Sequence, residues 1–140
     1  MGKKPGIVIH CSDSKFGSSI LIDQWHRERG WDNVGYHFVI LNGQVENNTF
    51  MECMDGSIER GRDIDKSGAH AKGYNDHIGI CLIGVDRFTD AQFESLKDLL
   101  LELRRKYQID FKNVIGHNEV STKSCPNFNV QAYLKEFILP

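Results

Sequence analysis

The sequence predicts a mixed α/β fold: a single domain with a central mixed β-sheet that carries helices on both faces. Short apolar runs rich in β-branched residues, typical of buried strands, alternate along the chain with longer segments of helical periodicity. The chain is 140 residues long, which is enough for one domain with its own apolar core. No internal repeat, linker or low-complexity tract divides the sequence.

The first two predicted elements are a strand and a helix. Residues 6–11 (GIVIHC) are apolar and β-branched, which predicts a buried strand. A helix follows, with Ser18 or Ser19 as its N-cap and its end near Arg29. Trp25 lies on the apolar face of this helix and is expected to pack in the core.

A hairpin region comes next. Residues 36–41 form the second predicted strand, and Asn42-Gly43 after them is a strong signal for a hairpin turn. Residues 44–62 are expected to form further hairpin strands, with another turn at Asp55-Gly56.

The C-terminal half supplies two more strands and two helices. Residues 77–84 and 113–116 are predicted strands, and residues 130–137 form a closing helix. Thr89, followed by Gln92, resembles a capping box and opens a helix that continues to about Tyr107. The apolar stripe of that helix consists of Phe93, Leu96, Leu100 and Leu103.

The composition argues against several classes of function. Lys and Arg number 17 against 19 Asp and Glu, so the net charge of −2 gives no support for nucleic-acid binding. The apolar runs are far shorter than a membrane span, and residues 5–9 are too few for the apolar core of a signal peptide. We expect a monomer without a membrane anchor, synthesised in the cytoplasm, with no disulfide bonds between its four cysteines.

Candidate metal ligands lie at two places in the sequence. The segment 116–126 (GHNEVSTKSCP) carries His117 and Cys125, and His10 ends the first apolar strand. Ligand sites in α/β proteins gather beyond the carboxyl ends of strands, where both histidines fall. Two histidines and one cysteine form a known catalytic zinc set with an open fourth position. The spacing alone is a weak motif, because a lone histidine is more often a surface or core residue.

Five segments occur in an order that resembles a known family. They are 7–10 (IVIH), 35–40 (GYHFVI), 68–75 (GAHAKGYN), 78–84 (IGICLIG) and 116–126. Together they are similar to the zinc-dependent N-acetylmuramoyl-L-alanine amidases of the type 2 amidase and peptidoglycan-recognition-protein superfamily. Within it they most resemble the phage endolysins of the T7 lysozyme type. The likeness covers nearly the whole chain, which implies one zinc amidase domain over residues 1–140.

The resemblance implies an enzyme that hydrolyses the amide between N-acetylmuramic acid and the L-alanine of the peptidoglycan stem peptide. His10, His117 and Cys125 match the family's Zn²⁺ ligands, and Tyr36 and Lys123 match its catalytic residues. Zinc activates water and polarises the carbonyl, while a lysine ammonium or a tyrosine hydroxyl can stabilise the oxyanion. The implied partner is peptidoglycan, which the protein would reach after release from the cytoplasm by a phage holin.

Other conspicuous residues have open roles. His70 and Asn75 match a segment that borders the family's groove; both are candidate substrate-binding residues, and His70 could equally stabilise its loop. Trp31 is either a wall of that groove or a plug at the helix end. Glu119 either orients a ligand histidine or caps the following turn. His37 is expected to be structural, because strand alternation directs it to the opposite face from its neighbour.

One segment departs from the shortest phage relatives. Residues 42–55 add a longer hairpin beside the expected groove, which either tunes substrate recognition or is tolerated surface. Two other functions stay open. One is a non-catalytic peptidoglycan-recognition module, although such proteins typically lack the ligand cysteine. The other is a regulator that binds a phage RNA polymerase, for which the near-neutral charge gives no support.

Overall fold

The computed structural model describes residues 3–139 and contains a five-stranded mixed sheet with three α-helices, which confirms the predicted fold class. The strands are β1 (Ile7–Cys11), β2 (Phe38–Glu46), β3 (Thr49–Arg60), β4 (Ile78–Leu82) and β5 (Val114–Gly116). The helices are α1 (Ser19–Glu28), α2 (Asp90–Tyr107) and α3 (Val130–Phe137), and 3-10 turns cover Phe111–Asn113 and His117–Glu119. Within residues 3–139, no helix is both long enough and apolar enough to cross a membrane.

The N-terminal strand β1 lies inside the sheet. The strand order is β3-β2-β4-β1-β5, so β1 pairs in parallel with β4 on one side and with β5 on the other. β2 runs parallel to β4, and β3 pairs antiparallel with β2 at the sheet edge. His10 lies opposite Cys81, and Ile9 lies opposite Gly116. The carboxyl ends of β1, β4 and β5 therefore meet where the sequence places two candidate ligands.

Different helices cover the two faces of the sheet. One core cluster joins β1, β4 and β5 to α2 and α3 and contains the fully buried Ile9 and Leu100. The second cluster joins α1 to the other face and contains Ile22 and Leu41. Because side chains alternate along a strand, His10 points away from the α2 face and towards the α1 face. The candidate site therefore lies on the α1 side.

The predicted turns at Asn42-Gly43 and Asp55-Gly56 are wrong. Both pairs lie inside the strands of one long hairpin, whose turn is Asn47-Asn48. Gly43 and Gly56 have φ angles of +86° and +81°, and the register shifts beside both, which marks β-bulges. A bulge can use the same left-handed backbone as a tight hairpin turn, so the dipeptide signal does not separate the two.

The helix starts follow their sequence signals, but α1 buries an unexpected face. The Ser18 hydroxyl caps α1, and Thr89 with Gln92 forms the predicted capping box of α2. The buried positions of α1 are Ser19, Ile22 and His26, while Trp25 is half-buried against the same core cluster. The buried residues follow helical spacing, but two of the three are polar, so a pattern of apolar residues does not reveal them.

Candidate active-site cleft and metal centre

A cleft of about 470 Å³ opens at the carboxyl end of β1. Its lining includes all five ligands and catalytic residues predicted from the sequence: His10, Tyr36, His117, Lys123 and Cys125. A second cleft, of about 550 Å³, shares five lining residues with the first: Trp31, Ala69, His70, His117 and Lys123. The two clefts therefore form a continuous groove.

Three metal-binding atoms converge in the first cleft. The ligand atoms of His10, His117 and Cys125 all lie within 4.8 Å of one another. His10 is near the end of β1, His117 begins the 3-10 turn directly after β5, and Cys125 lies on the loop before α3. The backbone N–H of Cys11 donates to Sγ of Cys125 at 3.1 Å, which holds that loop against the end of β1.

The three ligand atoms are of the types that zinc binds, and the distances between them are close to those of a zinc site. Two imidazole nitrogens and one thiol are a recognised catalytic zinc set. Ligands bonded to one tetrahedral zinc at about 2.0–2.3 Å lie roughly 3.5 Å apart. Sγ of Cys125 lies 3.9 Å from Nδ1 of His10, so small side-chain shifts would close the remaining gap.

Burial and nearby charges keep both candidate histidine ligands neutral. Burial lowers the pKa of His10, and His70, His117 and Lys123 lower it further. Burial and Lys123 also lower the pKa of His117. A neutral imidazole has a free lone pair, which is the form that binds a metal. A hydrogen bond with the thiol of Cys11, together with burial, raises the pKa of Cys125. The thiol of Cys125 therefore keeps its proton in the metal-free protein, and a metal ion that binds its sulfur would displace that proton.

Tyr36 and Lys123 lie beside the three candidate ligands. The ring of Tyr36 is half-buried, and its centre lies 5.0 Å from that of His10. Burial, and then the nearby cysteine thiols, raise the pKa of Tyr36 above its ordinary range, so the hydroxyl keeps its proton at neutral pH. Lys123 is exposed in the lining of the cleft, and its charge helps to lower the pKa of both histidines.

His70 and Asn75 contact each other and neighbouring parts of the protein. Oδ1 of Asn75 accepts hydrogen bonds from the N–H groups of His70 and Ala71 at 2.8 and 2.9 Å. The ring of His70 makes two further hydrogen bonds, to the ring of His10 and to the carbonyl of His77. These contacts give both residues a part in holding the loop. Both also line the second cleft, and substrate binding by either stays a prediction.

His26 also lines the cleft, and it lies outside the sequence motifs that mark the other site residues. Its Nδ1 accepts a hydrogen bond from the N–H of Gly35 at 3.0 Å. Its ring centre lies 4.4 Å from that of Trp31 and 5.6 Å from that of Tyr36. The signal that could have found it is its helical spacing from the buried Ile22. Trp31 packs on this imidazole at the end of α1 and lines both clefts, and its contact with substrate stays a prediction.

Glu119 and His37 support the backbone around the site. Oε2 of Glu119 accepts a hydrogen bond from the N–H of Gly116 at 2.6 Å, so it caps the turn that carries a candidate ligand. Nδ1 of His37 accepts from the N–H of Gly79 at 3.0 Å, and its Nε2 donates to the carbonyl of Lys66 at 2.8 Å. His37 therefore ties β4 to the loop that follows β3.

Comparisons with known proteins agree with this geometry. A family model described as N-acetylmuramoyl-L-alanine amidase matches residues 2–128. The endolysin of Escherichia phage T7 is 40% identical over 139 residues, covering 91% of this chain and 83% of that protein. The solved structure of N-acetylmuramoyl-L-alanine amidase LysC from Clostridium intestinale URNW matches with a TM-score of 0.80 and 30% identity, covering 99% of this chain and 88% of that one. Drosophila PGRP-LB matches with a TM-score of 0.77 and 27% identity, covering 99% of this chain and 84% of that one.

The relatives confirm the resemblance that the five ordered motifs predicted, including its phage endolysin branch. The family match spans most of the chain, and the solved relatives share its mixed sheet and flanking helices. The chain therefore belongs to the N-acetylmuramoyl-L-alanine amidase family and is an enzyme of that class.

Proposed function

We propose that this amidase is a zinc-dependent endolysin that hydrolyses the amide between the lactyl group of N-acetylmuramic acid and the L-alanine of the stem peptide. The observation that carries the proposal is the convergence of His10, His117 and Cys125, whose ligand atoms lie within 4.8 Å of one another. Tyr36 and Lys123 line the same cleft. The similarity to the endolysin of phage T7 supports the biological role.

In this proposal, His10, His117 and Cys125 hold Zn²⁺ and leave a fourth position open. Zinc supplies Lewis acidity, which brings the pKa of water toward about 7 and polarises a carbonyl group. The low pKa values of both histidines support this role, because their lone pairs are free at neutral pH. The retained thiol of Cys125 favours an active enzyme over a recognition module, which would not need it.

Lys123 and Tyr36 would act on the charge that develops during hydrolysis. Attack on an amide carbonyl gives a tetrahedral intermediate whose oxygen is negative, and a nearby ammonium stabilises it. Lys123 can supply that ammonium from the lining of the cleft. The Tyr36 hydroxyl keeps its proton at neutral pH, so it can donate a hydrogen bond to the same oxygen or orient the attacking water.

The groove has room for substrate on both sides of the candidate catalytic residues. Its two clefts measure about 470 and 550 Å³ and meet at His117 and Lys123. Trp31 is 40% exposed, and its ring offers a flat apolar surface against which a sugar ring can pack. His70 and Asn75 border the second cleft and are the other candidate substrate contacts.

Digestion of purified peptidoglycan, followed by mass spectrometry of the products, tests the proposed bond. The expected products are free stem peptides that begin with L-alanine and glycan strands with bare lactyl groups. New reducing sugar ends would show a glycosidase instead, and binding without cleavage would show a recognition module. Metal analysis of the same preparation should give about one zinc per chain.

We also propose that the protein acts as a monomer, is made in the cytoplasm and reaches the wall after a holin-type protein opens the inner membrane. Expression in cells with an intact inner membrane should then cause little lysis, and permeabilising that membrane should trigger it. Prompt lysis without permeabilisation would contradict this route. Size-exclusion chromatography with light scattering tests the monomer.

A further inference from the structure

His70 lies directly behind the candidate ligand His10, and both of its ring nitrogens are hydrogen-bonded. Its Nε2 is 2.9 Å from the carbonyl oxygen of His77, and its Nδ1 is 2.9 Å from Nε2 of His10. A carbonyl oxygen only accepts hydrogen bonds, so Nε2 of His70 must carry a proton and donate. In a neutral imidazole the other nitrogen, Nδ1, is then an acceptor.

This arrangement determines the tautomer of His10. Because Nδ1 of His70 accepts, Nε2 of His10 must donate and therefore carries the proton of His10. Nδ1 of His10 is left with a free lone pair, and it is this atom that lies 3.9 Å from Sγ of Cys125. The backbone carbonyl of His77 thus determines, through two imidazole rings, which nitrogen of His10 carries the proton.

We propose that His70 is a positioning residue, which fixes the ring orientation and the Nε2-protonated tautomer of His10 so that Nδ1 binds the metal. The inference rests on the proposed zinc centre and adds a role for a residue that is not itself a ligand. Ligand histidines commonly donate their second N–H to an acceptor, which orients the ring and raises its basicity. Here the acceptor is a second imidazole, which orients His10 without adding a negative charge beside the ion.

The surrounding structure fixes His70 from three directions. Gly68 and Gly79 leave the space that its ring occupies, because a Cβ atom on either glycine would lie within 3.0 Å of that ring. The backbone N–H of His70 donates a hydrogen bond to Oδ1 of Asn75 at 2.8 Å. The ring meets that of His10 edge to face, with 5.0 Å between their centres. A loop and a glycine of β4 therefore place one imidazole at a defined position behind the ligand.

Substitutions at His70 separate this role from general support of the loop. His70→Phe keeps a ring but removes both hydrogen bonds, and it should weaken Zn²⁺ binding about 10–100-fold, as for other partners of metal ligands. His70→Asn places an amide oxygen near the former Nδ1 and should restore most of the affinity. Competition with a chelator of known affinity measures Zn²⁺ binding, so the readout does not depend on turnover.

His37→Phe is the matched control. Both ring nitrogens of His37 are hydrogen-bonded, as those of His70 are, but His37 is fully buried and its partners are one backbone N–H and one backbone carbonyl. Its ring packs on that of His70, with 5.8 Å between the centres, but within residues 3–139 it makes no hydrogen bond to a candidate ligand, so His37→Phe changes the packing around His70 and leaves the hydrogen bond from His10 in place. His37→Phe should lose thermal stability as His70→Phe does, but it should keep its Zn²⁺ affinity. Equal losses of affinity in the two variants, or no loss in His70→Phe, would overturn the proposal.

The tautomer can also be observed directly, which keeps the proposal testable if a variant does not fold. Long-range ¹H–¹⁵N spectra of the full-length protein loaded with Zn²⁺ should show a proton on Nε2 of His10 and of His70, and none on either Nδ1. A proton on Nδ1 of His10 would contradict the proposal. If the wild-type protein binds no Zn²⁺, the proposed function fails instead, and spectra of the metal-free protein still decide the tautomer.

Discussion

Cys11 and Cys125 lie 114 residues apart in the sequence, yet the backbone N–H of Cys11 donates to Sγ of Cys125 at 3.1 Å. Asn127, on the same loop, donates from its side chain to the carbonyl of Val85 at 2.5 Å and to the sulfur of Cys11 at 3.7 Å. These contacts dock the C-terminal loop on the end of β1. The thiol is therefore oriented before a metal binds, which favours binding because little conformational freedom remains to be lost.

Cys125→Ser should remove most of the bound Zn²⁺, because a neutral hydroxyl is a far poorer ligand than a thiolate. Elemental analysis of the purified variant measures the loss. Cys53→Ser is the matched control, since Cys53 is a free and exposed thiol on β3. Stoichiometric zinc in Cys125→Ser would show that the thiol is not a ligand.

Tyr36→Phe and Lys123→Ala should each keep the fold and the zinc but lose turnover about 10²–10³-fold, the usual effect of removing one oxyanion donor. Release of stem peptides from purified peptidoglycan gives the rate. Lys135→Ala, at an exposed position of α3, should leave the rate unchanged. A near-normal rate in either of the first two variants would remove that residue from the catalytic machinery.

Chelation of zinc should lower the melting temperature reversibly without unfolding the protein. A metal that binds only the folded state adds roughly 4 kcal/mol when its free concentration is a thousandfold above its dissociation constant. The two apolar clusters on either side of the sheet do not include the candidate ligands, so they remain packed without the ion. Differential scanning calorimetry with chelator, and again after zinc is restored, tests this. Complete loss of the transition on chelation would show that the fold depends on the metal.

Lowering the pH from about 6.5 towards 4 should destabilise the fold through His26. Burial, and then Arg29 and Arg62, lower the pKa of His26 from 6.5 to about 4. Between these values the unfolded chain binds a proton and the folded chain does not, so stability present above pH 6.5 is lost as the pH falls. Melting temperatures across this range should fall less steeply in His26→Gln. An equal slope in the variant would assign the pH dependence to other groups.

Much of the fold could be predicted because its signals are local. The hydroxyl caps at Ser18 and Thr89 mark the starts of α1 and α2 in the sequence, and both form as expected. The buried strands β1 and β4 stand out as apolar runs. The bulges at Gly43 and Gly56 could not be predicted, because a left-handed glycine serves a turn and a bulge equally well.

The site was predictable in its residue types but not in its connections. The ordered motifs contain both His10 and His70, so both residues can be identified from the sequence. The hydrogen bond between them cannot be predicted, because it joins residues 60 positions apart and depends on the pairing of β1 with β4. The second nitrogen of His70 reaches the carbonyl of His77, and no sequence pattern reports that contact. His26 could not be identified as a cleft residue from the sequence. Its spacing from Ile22 on α1 predicts only that it faces the core, and no sequence pattern shows that the cleft opens on the same face.

The central place of β1 has a consequence during protein synthesis. This strand leaves the ribosome well before either of its neighbours, β4 and β5. His10 therefore has no His117 or Cys125 beside it until residues 117–125 have emerged. A nascent chain that ends at Asp110, before β5, should show neither a cooperative unfolding transition nor zinc binding. For an enzyme that attacks the cell wall, this order of assembly keeps the growing chain inactive until β5 and the Cys125 loop have been made.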